Sequence, residues 1–573
     1  MAVRNEEVAA VFDEIADLLE IRGDNPFRVR AYRNAARTVR SLGREVADLV
    51  AAGEDLTRLP GIGQDLADKI REIVATGTSA TLEALRRELP PGLGALLRLP
   101  GLGPKRVAAL HHELGIDSLE ALRRAAEAGR LRGLPGFGPK TEARVLEAIR
   151  ARLDTGRRFL LAEAEGWADA LVEHLRAARG VNEIVVAGSF RRRRETVGDL
   201  DILCTARDGA AVAAHFVRYE RAAEVLSQGT TRSTIVLQNG LQVDLRVVEE
   251  GSFGAALHYF TGSKAHNIAV RRMGQQRGLK INEYGVFRGA RRVAGSTEES
   301  VFRAVGLPWI PPELREDRGE IEAAQAGALP RLVRREDLRG DLHCHTRASD
   351  GRSTLEEMAE AARAAGLEYL AFTEHSRSLR VARGLDAARL RAHVEAIRRL
   401  DERLEGITLL AGIEVEILED GSLDLPDDVL AELDVVVGAV HSHFDLPRAR
   451  QTARILRAMD HPHFHILAHP SGRLLLEREP YDVDLARVIR HARERGCFLE
   501  LNANPDRLDL DDVHCRMARD EGVLVAICSD AHSSLGFANL RYGVGQARRG
   551  WLGPEHVLNT RPLEELRRLL ANG

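Results

Sequence analysis

Hydrophobic and polar positions change period three times along the chain. From Val3 to Arg152 apolar residues recur at helical spacing with short breaks, and the acidic, amphipathic stretch from Met1 to Glu20 predicts the first helix. From Arg157 to about Gly306 strands alternate with helices. Glu183 to Ala187 is expected as a buried strand, Leu200 to Thr205 as another, and Thr231 to Val248 as a hairpin turning at Asn239-Gly240. A stretch rich in Pro, Ala and charge follows from about Pro308 to Asp337. Beyond it, seven short apolar strands alternate with amphipathic helices, around Asp341, Tyr369, Leu409, Val435, His465, Phe498 and Val525, the pattern of a parallel barrel.

The 573 residues allow three or four domains at roughly 150 residues each. With 44% hydrophobic and 29% charged residues, no run approaches the roughly 18 apolar residues of a membrane helix, and the N-terminal pattern is not that of a signal peptide. The five cysteines (Cys204, Cys344, Cys497, Cys515, Cys528) form no CxxC pair. Neither a disulfide framework nor a zinc ribbon is predicted, and a reducing, cytoplasmic setting without a membrane partner is expected.

The net charge of -4 conceals a division. Residues 1–337 hold 51 Lys plus Arg against 47 Asp plus Glu, whereas residues 338–573 hold 31 against 39, so the two parts are expected to meet different partners. Of the 20 histidines, 14 lie after residue 337, where a metal site would use neutral imidazoles. Only five of the 82 basic residues are lysine: Lys69, Lys105, Lys140, Lys264 and Lys280. Where arginine is the default cation, lysine marks positions that use a compact, deprotonatable amine.

One pentapeptide recurs in the helical region: Leu59-Pro60-Gly61-Ile62-Gly63, Leu99-Pro100-Gly101-Leu102-Gly103 and Leu134-Pro135-Gly136-Phe137-Gly138. Lys105 and Lys140 follow the second and third copies. A glycine turn between two helices points backbone N–H groups outward and binds phosphate without reading a base. The repeat resembles the helix-hairpin-helix motif of DNA repair proteins, which implies a grip on one DNA backbone by Gly61, Gly63, Gly101, Gly103, Lys105, Gly136, Gly138 and Lys140.

In the middle of the chain Gly188-Ser189-Phe190-Arg191-Arg192 closes a strand, and Gly198-Asp199-Leu200-Asp201 follows. Alternate residues of a strand face one way, so Asp199 and Asp201 present two carboxylates to one point, and Asp244 lies on the polar face of the next hairpin. Three carboxylates on neighbouring strands are expected to hold two Mg2+ or Mn2+ ions for in-line attack of a primer hydroxyl on a nucleoside triphosphate. Ser189, the Gly188 backbone and Arg192 would hold the triphosphate, with Gly198 opening the carboxylate strand. This pattern alone signifies the nucleotidyltransferase superfamily. Tyr259-Phe260-Thr261-Gly262-Ser263, with Asn267 and Arg271, narrows it, because it closely resembles the nucleotide-binding helix of family X DNA polymerases, as does Asn282-Glu283-Tyr284. The resemblance covers residues 1 to about 318. It implies that Tyr259, Phe260 and Gly262 pack beneath the sugar, that Asn267 touches the base and that Arg271 contacts the template. Arg193 and Lys264 depart from the Gly and Asp that animal members carry there.

Potential metal ligands end the C-terminal strands: Asp341-Leu342-His343-Cys344-His345 with Asp350, Thr373-Glu374-His375, Gly412-Ile413-Glu414, Val440-His441-Ser442, Ala468-His469-Pro470 and Ser529-Asp530-Ala531-His532. Ligands at the C-terminal ends of barrel strands converge on one pocket. Such a mixture of nitrogen and oxygen donors exceeds what one ion uses and implies two to three Zn, Mn or Fe ions. The set resembles the PHP (polymerase and histidinol phosphatase) domain, a distorted seven-stranded barrel. That resemblance implies the ligands His343, His345, Asp350, His375, Glu414, His441, His469, Asp530 and His532. Cys344, between two ligands, is expected to point into packing, and Cys528 shares the face of Asp530.

Within the first glycine motif, Gly63-Gln64-Asp65-Leu66-Ala67-Asp68-Lys69-Ile70 resembles the Schiff-base segment of the deoxyribose-phosphate lyase domain, which implies Lys69 as the nucleophile. Asp65 stands where the animal enzyme has a second lysine, and a surface lysine on a DNA-facing helix is the alternative. The expected organisation is multidomain: an all-α helix-hairpin-helix region with a lyase-like domain at 1–85 and a fingers-like subdomain at 86–152, an α+β nucleotidyltransferase palm at 153–250, a thumb-like subdomain at 251–318, a linker at 319–337 and a distorted (βα)7 PHP barrel at 338–573. The expected function is a monomeric DNA polymerase that fills short gaps in base excision repair, takes gapped or nicked duplex DNA and deoxynucleoside triphosphates, and trims 3' ends as a metal-dependent 3'-5' exonuclease. A DNA-end tether with relic sites and an RNA or small-molecule nucleotidyltransferase fused to a phosphatase remain the alternatives.

Overall fold

The computed structural model describes residues 5–40, 42, 45–88, 93, 96, 102, 104–134, 137–138, 145 and 158–571. It divides into two compact units, 1–157 and 158–573. Among the described residues, no helix is long and apolar enough to cross a membrane.

The first unit is helical. Asn5–Arg22, Pro26–Arg40 and Gln64–Thr76 enclose Phe12, Ile15, Leu19, Tyr32, Ile70 and Ile73. A second cluster gathers Val107, Leu110, Leu122 and Leu131 from Pro104–Leu114, Leu119–Glu127 and the turn of helix after them. The sequence repeat is also a repeat of structure. In the first copy a short 3-10 turn, Leu56–Arg58, leads into the glycine turn, where the Ile62 N–H donates to the Leu59 carbonyl at 3.1 Å. In the third copy Arg130–Gly133 leads in, and the Phe137 N–H donates to the Leu134 carbonyl at 3.0 Å.

The second unit begins with a five-stranded sheet ordered Val181–Val186, Asp199–Ala206, Gln242–Val248, Arg232–Leu237, Ala222–Gln228. Alternation along Asp199–Ala206 sorts its residues: Leu200, Ile202 and Cys204 pack under helices Leu161–Arg176 and Gly209–Phe216, while Leu203 packs on the opposite side against Phe253 and Leu257. The strand expected at Glu183 to Ala187 runs instead from Val181 to Val186 and is half exposed, because it is the sheet edge. The thumb follows as helices Phe253–Thr261 and Lys264–Gln276, a three-stranded antiparallel sheet, and Glu298–Ala304. The stretch expected as a linker is folded: Ile321, Ala324 and Leu332 pack with the thumb core, and Val333 with the barrel core.

Seven parallel strands then pair in sequence order: Gly340–Asp341, Tyr369–His375, Thr408–Glu416, Val435–Ala439, Ile466–Leu467, Phe498–Asn502 and Val525–Cys528. A parallel bridge between Cys344 and Ala531 brings the first and last strands together. One face of the strands packs Leu342, Ala371, Leu410, Val437, Ile466, Ala526 and Cys528 together; the other packs against the helices. Close packing makes Gly438 obligatory, since a Cβ there would lie 2.0 Å from the buried Phe464 ring. Gly438→Ala is therefore expected to destabilise the protein by about 1–3 kcal/mol, read as a lowered midpoint in denaturant unfolding.

Candidate active sites

Parallel pairing builds the palm site. Asp201 and Asp244 are direct Cα partners on neighbouring strands, and Asp199, the first residue of its strand, stands two residues earlier on the same face. Asp244 is buried and held in place: Thr234 Oγ1 donates to its Oδ1 at 2.5 Å and Arg232 at 3.2 Å. Burial, then the Asp199 and Asp244 charges, push Asp201 up to about 7, and burial with Asp244 raises Asp199. Three crowded carboxylates of this kind form an all-oxygen donor set that suits a hard divalent cation.

The Gly188–Arg191 turn meets this cluster from the side. Gly188 has φ +63°, and a Cβ on it would lie 2.9 Å from Asp201 Oδ2, so glycine is required twice over. Ser189 is half-buried, and Gly198 opens the carboxylate strand. Arg192 points toward the thumb: its Nε donates to Glu316 at 2.9 Å and one terminal nitrogen to the Thr261 carbonyl at 2.8 Å. Asn267 is buried and donates to the Tyr259 and Gly262 carbonyls at 2.7 and 3.1 Å, so here it fastens the turn between the two thumb helices. Gly262 is needed because a Cβ would sit 2.5 Å from Asn267 Oδ1. The Arg246 guanidinium lies 4.2 Å from the Phe260 ring centre, and Arg271 lies 6.0 Å from that of Tyr259.

At the barrel mouth the nine expected ligands come together. Three overlapping groups place their donor atoms within 4.8 Å of one another: His345, Asp350, His375 and His532; His343, His345 and Asp530; His375, Glu414 and His441. His469 Nε2 adds itself 2.9 Å from Glu414 Oε1. His343 Nε2 and His345 Nε2 face each other at 3.1 Å. His375 Nδ1 and Glu414 Oε2 lie 2.7 Å apart, yet neither has a hydrogen bond of acceptable geometry. Buried donor atoms this close and unsatisfied fit ligands that share an ion. His469 and Asp530 also adopt positive φ, 27° and 52°, a strain found at functional positions.

Charge balance in the cluster is maintained by pairing. Against burial, Glu414 and then Asp350 raise His375 to about 10, and Asp350 with Asp530 raises His532 to about 9. Glu414 and Asp530 are held well below the usual carboxylate range by the imidazoles around them, although burial opposes this.

Several residues that orient the ligands escaped the sequence reading. Glu500 accepts from His343 Nδ1 at 2.6 Å and from the His469 backbone N–H at 2.7 Å, and Glu416 accepts from His441 Nδ1 at 2.9 Å. Such partners fix the imidazole tautomer and direction. Asp341 accepts from the Ser529 and His343 backbone, and Asn502 donates to Asp530 at 3.0 Å. Glu416 and Glu500 are acidic residues inside apolar strands, which is the signal that marks them in the sequence. Cys344 packs in the core outside the cluster, its thiol 3.3 Å from the Ala371 carbonyl, and Cys528 lies among the apolar residues of the strands.

In the first unit, Gly61 takes φ +75° and Gly63 precedes helix Gln64–Thr76 in extended conformation with open space beside it, so the turn is bare at its outer edge. Gly138 lies in the third turn. Gly101, Gly103, Gly136 and Lys140 lie outside the described residues, as does the side chain of Lys105 in Pro104–Leu114. Lys69 Nζ is paired with Asp65 at 2.5 Å on the same helix. Burial lowers the Lys69 pKa, but the Asp65 hydrogen bond and the neighbouring Tyr32 and Asp65 more than offset it, so the amine is held protonated.

The fold and these clusters define a class: a nucleotidyltransferase palm and thumb coupled to a PHP barrel. Family comparisons agree. The chain matches the DNA polymerase beta palm over residues 161–266, the DNA polymerase beta thumb over 256–316 and the PHP domain over 341–504. It also matches a helix-hairpin-helix domain over 3–79 and a SAM-like helix-hairpin-helix tandem over 93–151. It is 38% identical over 572 residues to the DNA polymerase/3'-5' exonuclease PolX of Bacillus subtilis (strain 168), covering 99% of both chains. DNA polymerase lambda of Rattus norvegicus is 26% identical over 353 residues, 54% of this chain and 56% of that one. A probable phosphatase of Acetivibrio thermocellus is 31% identical over 203 residues, 34% of this chain and 79% of that one. The chain belongs to the bacterial family X DNA polymerases that carry a C-terminal PHP domain.

Two outcomes follow from the geometry. Gly188→Ala should lower nucleotide addition at least about tenfold through displacement of Asp201, with little change in melting temperature; single-turnover insertion kinetics measure it. The purified full chain should carry two to three transition-metal equivalents at the barrel, and Glu414→Ala, which removes the carboxylate shared by five imidazoles, should lower that number in elemental analysis.

Proposed function

We propose that this protein is a DNA-directed DNA polymerase that fills short gaps in duplex DNA during repair, and that its barrel removes 3'-terminal nucleotides as a metal-dependent 3'-5' exonuclease. The observation that carries the first part is the direct pairing of Asp201 with Asp244 beside Asp199, next to a glycine turn and a thumb helix pair. Two Mg2+ or Mn2+ ions bound by these carboxylates would supply charge neutralisation at the primer hydroxyl and the departing pyrophosphate. Gly188 and Ser189 offer backbone and hydroxyl donors to the triphosphate, and Arg192 brings a cation. Tyr259, Phe260 and Gly262 form the platform for the sugar, with Asn267 toward the nucleotide base and Arg271 toward the template. Gly61, Gly63 and the two further glycine turns, with Lys105 and Lys140, take the DNA backbone through outward N–H groups and cations.

For the barrel, the supporting observation is the overlap of its three ligand groups through His345 and His375. Zn, Mn or Fe ions in such a cluster would supply a polarised phosphoryl group and an activated water. Glu500 and Glu416 keep His343 and His441 turned toward the cluster. The partners of the whole chain are then gapped duplex DNA and deoxynucleoside triphosphates, bound by a monomer.

The two centres lie in different domains, so they should be separable. Asp201→Asn should abolish primer extension on a gapped duplex and spare degradation of a 3' end; His343→Ala should do the reverse. If the unsubstituted chain binds DNA and does neither with any of the named metals, it is a tether with relic sites.

Lys69 carries a second, lyase reading, supported by its partial burial beside Tyr32 on the glycine-turn helix. Schiff-base formation needs the neutral amine, and the Asp65 pair opposes it. Borohydride trapping of a 5' deoxyribose-phosphate flap should therefore be slow, faster in Asp65→Lys, and lost in Lys69→Ala; equal trapping by Lys69→Ala removes the reading.

A further inference from the structure

The loop that follows the glycine turn of the palm, Arg192 to Glu195, is met by the PHP domain at Arg192, Arg193 and Glu195. Most of the contacts come from one helix, Leu540–Arg549, in which Tyr542, Gly545, Gln546 and Arg549 share a face at helical spacing. Arg193, with φ +55°, donates to Glu165 at 2.9 Å, and Glu165 also accepts from Tyr542 at 2.7 Å. Arg193 runs close beside Gly545, where a Cβ would lie 3.2 Å from its Nε. Glu195 accepts from Gln546 at 3.2 Å and from Arg473 at 2.8 Å.

Arg549 bears most directly on nucleotide addition. Nearly fully buried, it donates from one terminal nitrogen to the Arg192 carbonyl at 2.9 Å and to Glu316 at 3.0 Å, and from the other to Asp512 at 2.6 Å. Glu316 is the carboxylate that holds the Arg192 side chain. Arg549 therefore grips both the backbone of Arg192 and the anion that aims its guanidinium. Burial would raise the Glu316 pKa, but Arg549, Arg192 and Arg194 bring it to about 2, so it stays ionised and able to hold Arg192. With Nε on Glu316 and one terminal nitrogen on Thr261, Arg192 has one terminal nitrogen left among its described contacts, and its charge is felt at Asp199. A guanidinium fixed on two edges presents its third in a set direction, which is what recognition of a phosphate requires.

We propose that Arg549 of the PHP domain is a positioning residue for the polymerase site: by clamping Glu316 and the Arg192 backbone, it sets the orientation in which Arg192 meets the triphosphate of the incoming nucleotide. The inference rests on the polymerase reading and on Arg192 as a triphosphate contact. Affinity for nucleotide is thereby determined partly in the other catalytic domain.

The test is steady-state insertion of one nucleotide into a gapped duplex by the full-length chain with Mg2+. Arg549→Gln should raise the KM for deoxynucleoside triphosphate about tenfold while kcat, the Kd for gapped DNA and Mn2+-dependent hydrolysis of p-nitrophenyl thymidine monophosphate by the barrel stay within about threefold. Arg549→Lys keeps the charge but replaces the two terminal nitrogens that reach Glu316 and Asp512 with a single ammonium, so it should fall between the two. Glu316→Gln should raise KM as Arg549→Gln does, and it carries the test if thermal melting shows that Arg549→Gln does not fold. Arg541→Ala, which loses a Glu165 contact and leaves Arg192 untouched, should keep the normal KM. An unchanged KM in the folded variants overturns the proposal, as does a parallel fall of both activities with melting temperature, which would make Arg549 only a domain fastener. Absence of nucleotide addition by the unsubstituted chain would instead overturn the polymerase reading.

Discussion

Like charges gathered out of water repel one another, and both centres of this protein are assembled against that repulsion. In the palm, backbone pairing of Asp199–Ala206 with Gln242–Val248 sets Asp201 and Asp244 side by side, and burial together with the Asp199 and Asp244 charges raises Asp201 to about 7. The barrel faces the same problem with more groups and answers it with mixed charge, imidazole against carboxylate, so that Glu414 and Asp530 stay ionised although buried. In each case apolar packing on the far side of the strands holds the arrangement: Leu200, Ile202, Val243 and Leu245 in the palm, and Leu342, Ala371, Leu410 and Val437 in the barrel. Affinity for cations is the chemical consequence of carboxylates that the fold prevents from separating.

The joint between palm, thumb and barrel depends on the same physics. Arg549, Glu316, Asp512 and Arg318 form a continuous, largely buried chain of ion pairs at 2.6 to 3.0 Å, with Arg549 at its buried centre. Such a chain contributes little net stability once desolvation is counted, but it tolerates few alternative arrangements, because any unpaired member would leave a charge out of water. Apolar insertion supports it. Leu508 and Tyr542 of the barrel sit in the palm core, and Trp551 in the thumb core. Leu508 follows Arg507, which borders the imidazole and carboxylate cluster with its Nε 3.8 Å from Asp530, so a segment of a few residues reaches from one candidate site into the core that supports the other.

Much of this was legible in the sequence. Seven apolar runs separated by helical stretches gave seven parallel strands in order, because a buried parallel strand must be continuously apolar and its crossover must be a helix. The carboxylate triad could be picked out from the alternation of residues along its strands, and the nine imidazole and carboxylate positions from the barrel motifs together with their resemblance to the PHP domain. The first glycine turn was equally plain, since Gly61 needs a left-handed backbone that few other residues accept.

Only the tertiary structure decided what depends on partners distant in sequence. Glu500 and Glu416 acquired a role only when folding set them against His343 and His441, 157 and 25 residues away in sequence. The stretch from 319 to 337 read as a linker because its composition is polar, yet Ile321 and Leu332 find an apolar core made by residues elsewhere in the chain. Arg193, a departure from the animal pattern, acquired a meaning only when Glu165 and Gly545 appeared beside it. Periodicity and strand-end motifs are local, and the sequence by itself determined them; orientation, charge pairing and the junction of domains require contacts between residues tens to hundreds of positions apart, which only the folded chain supplies.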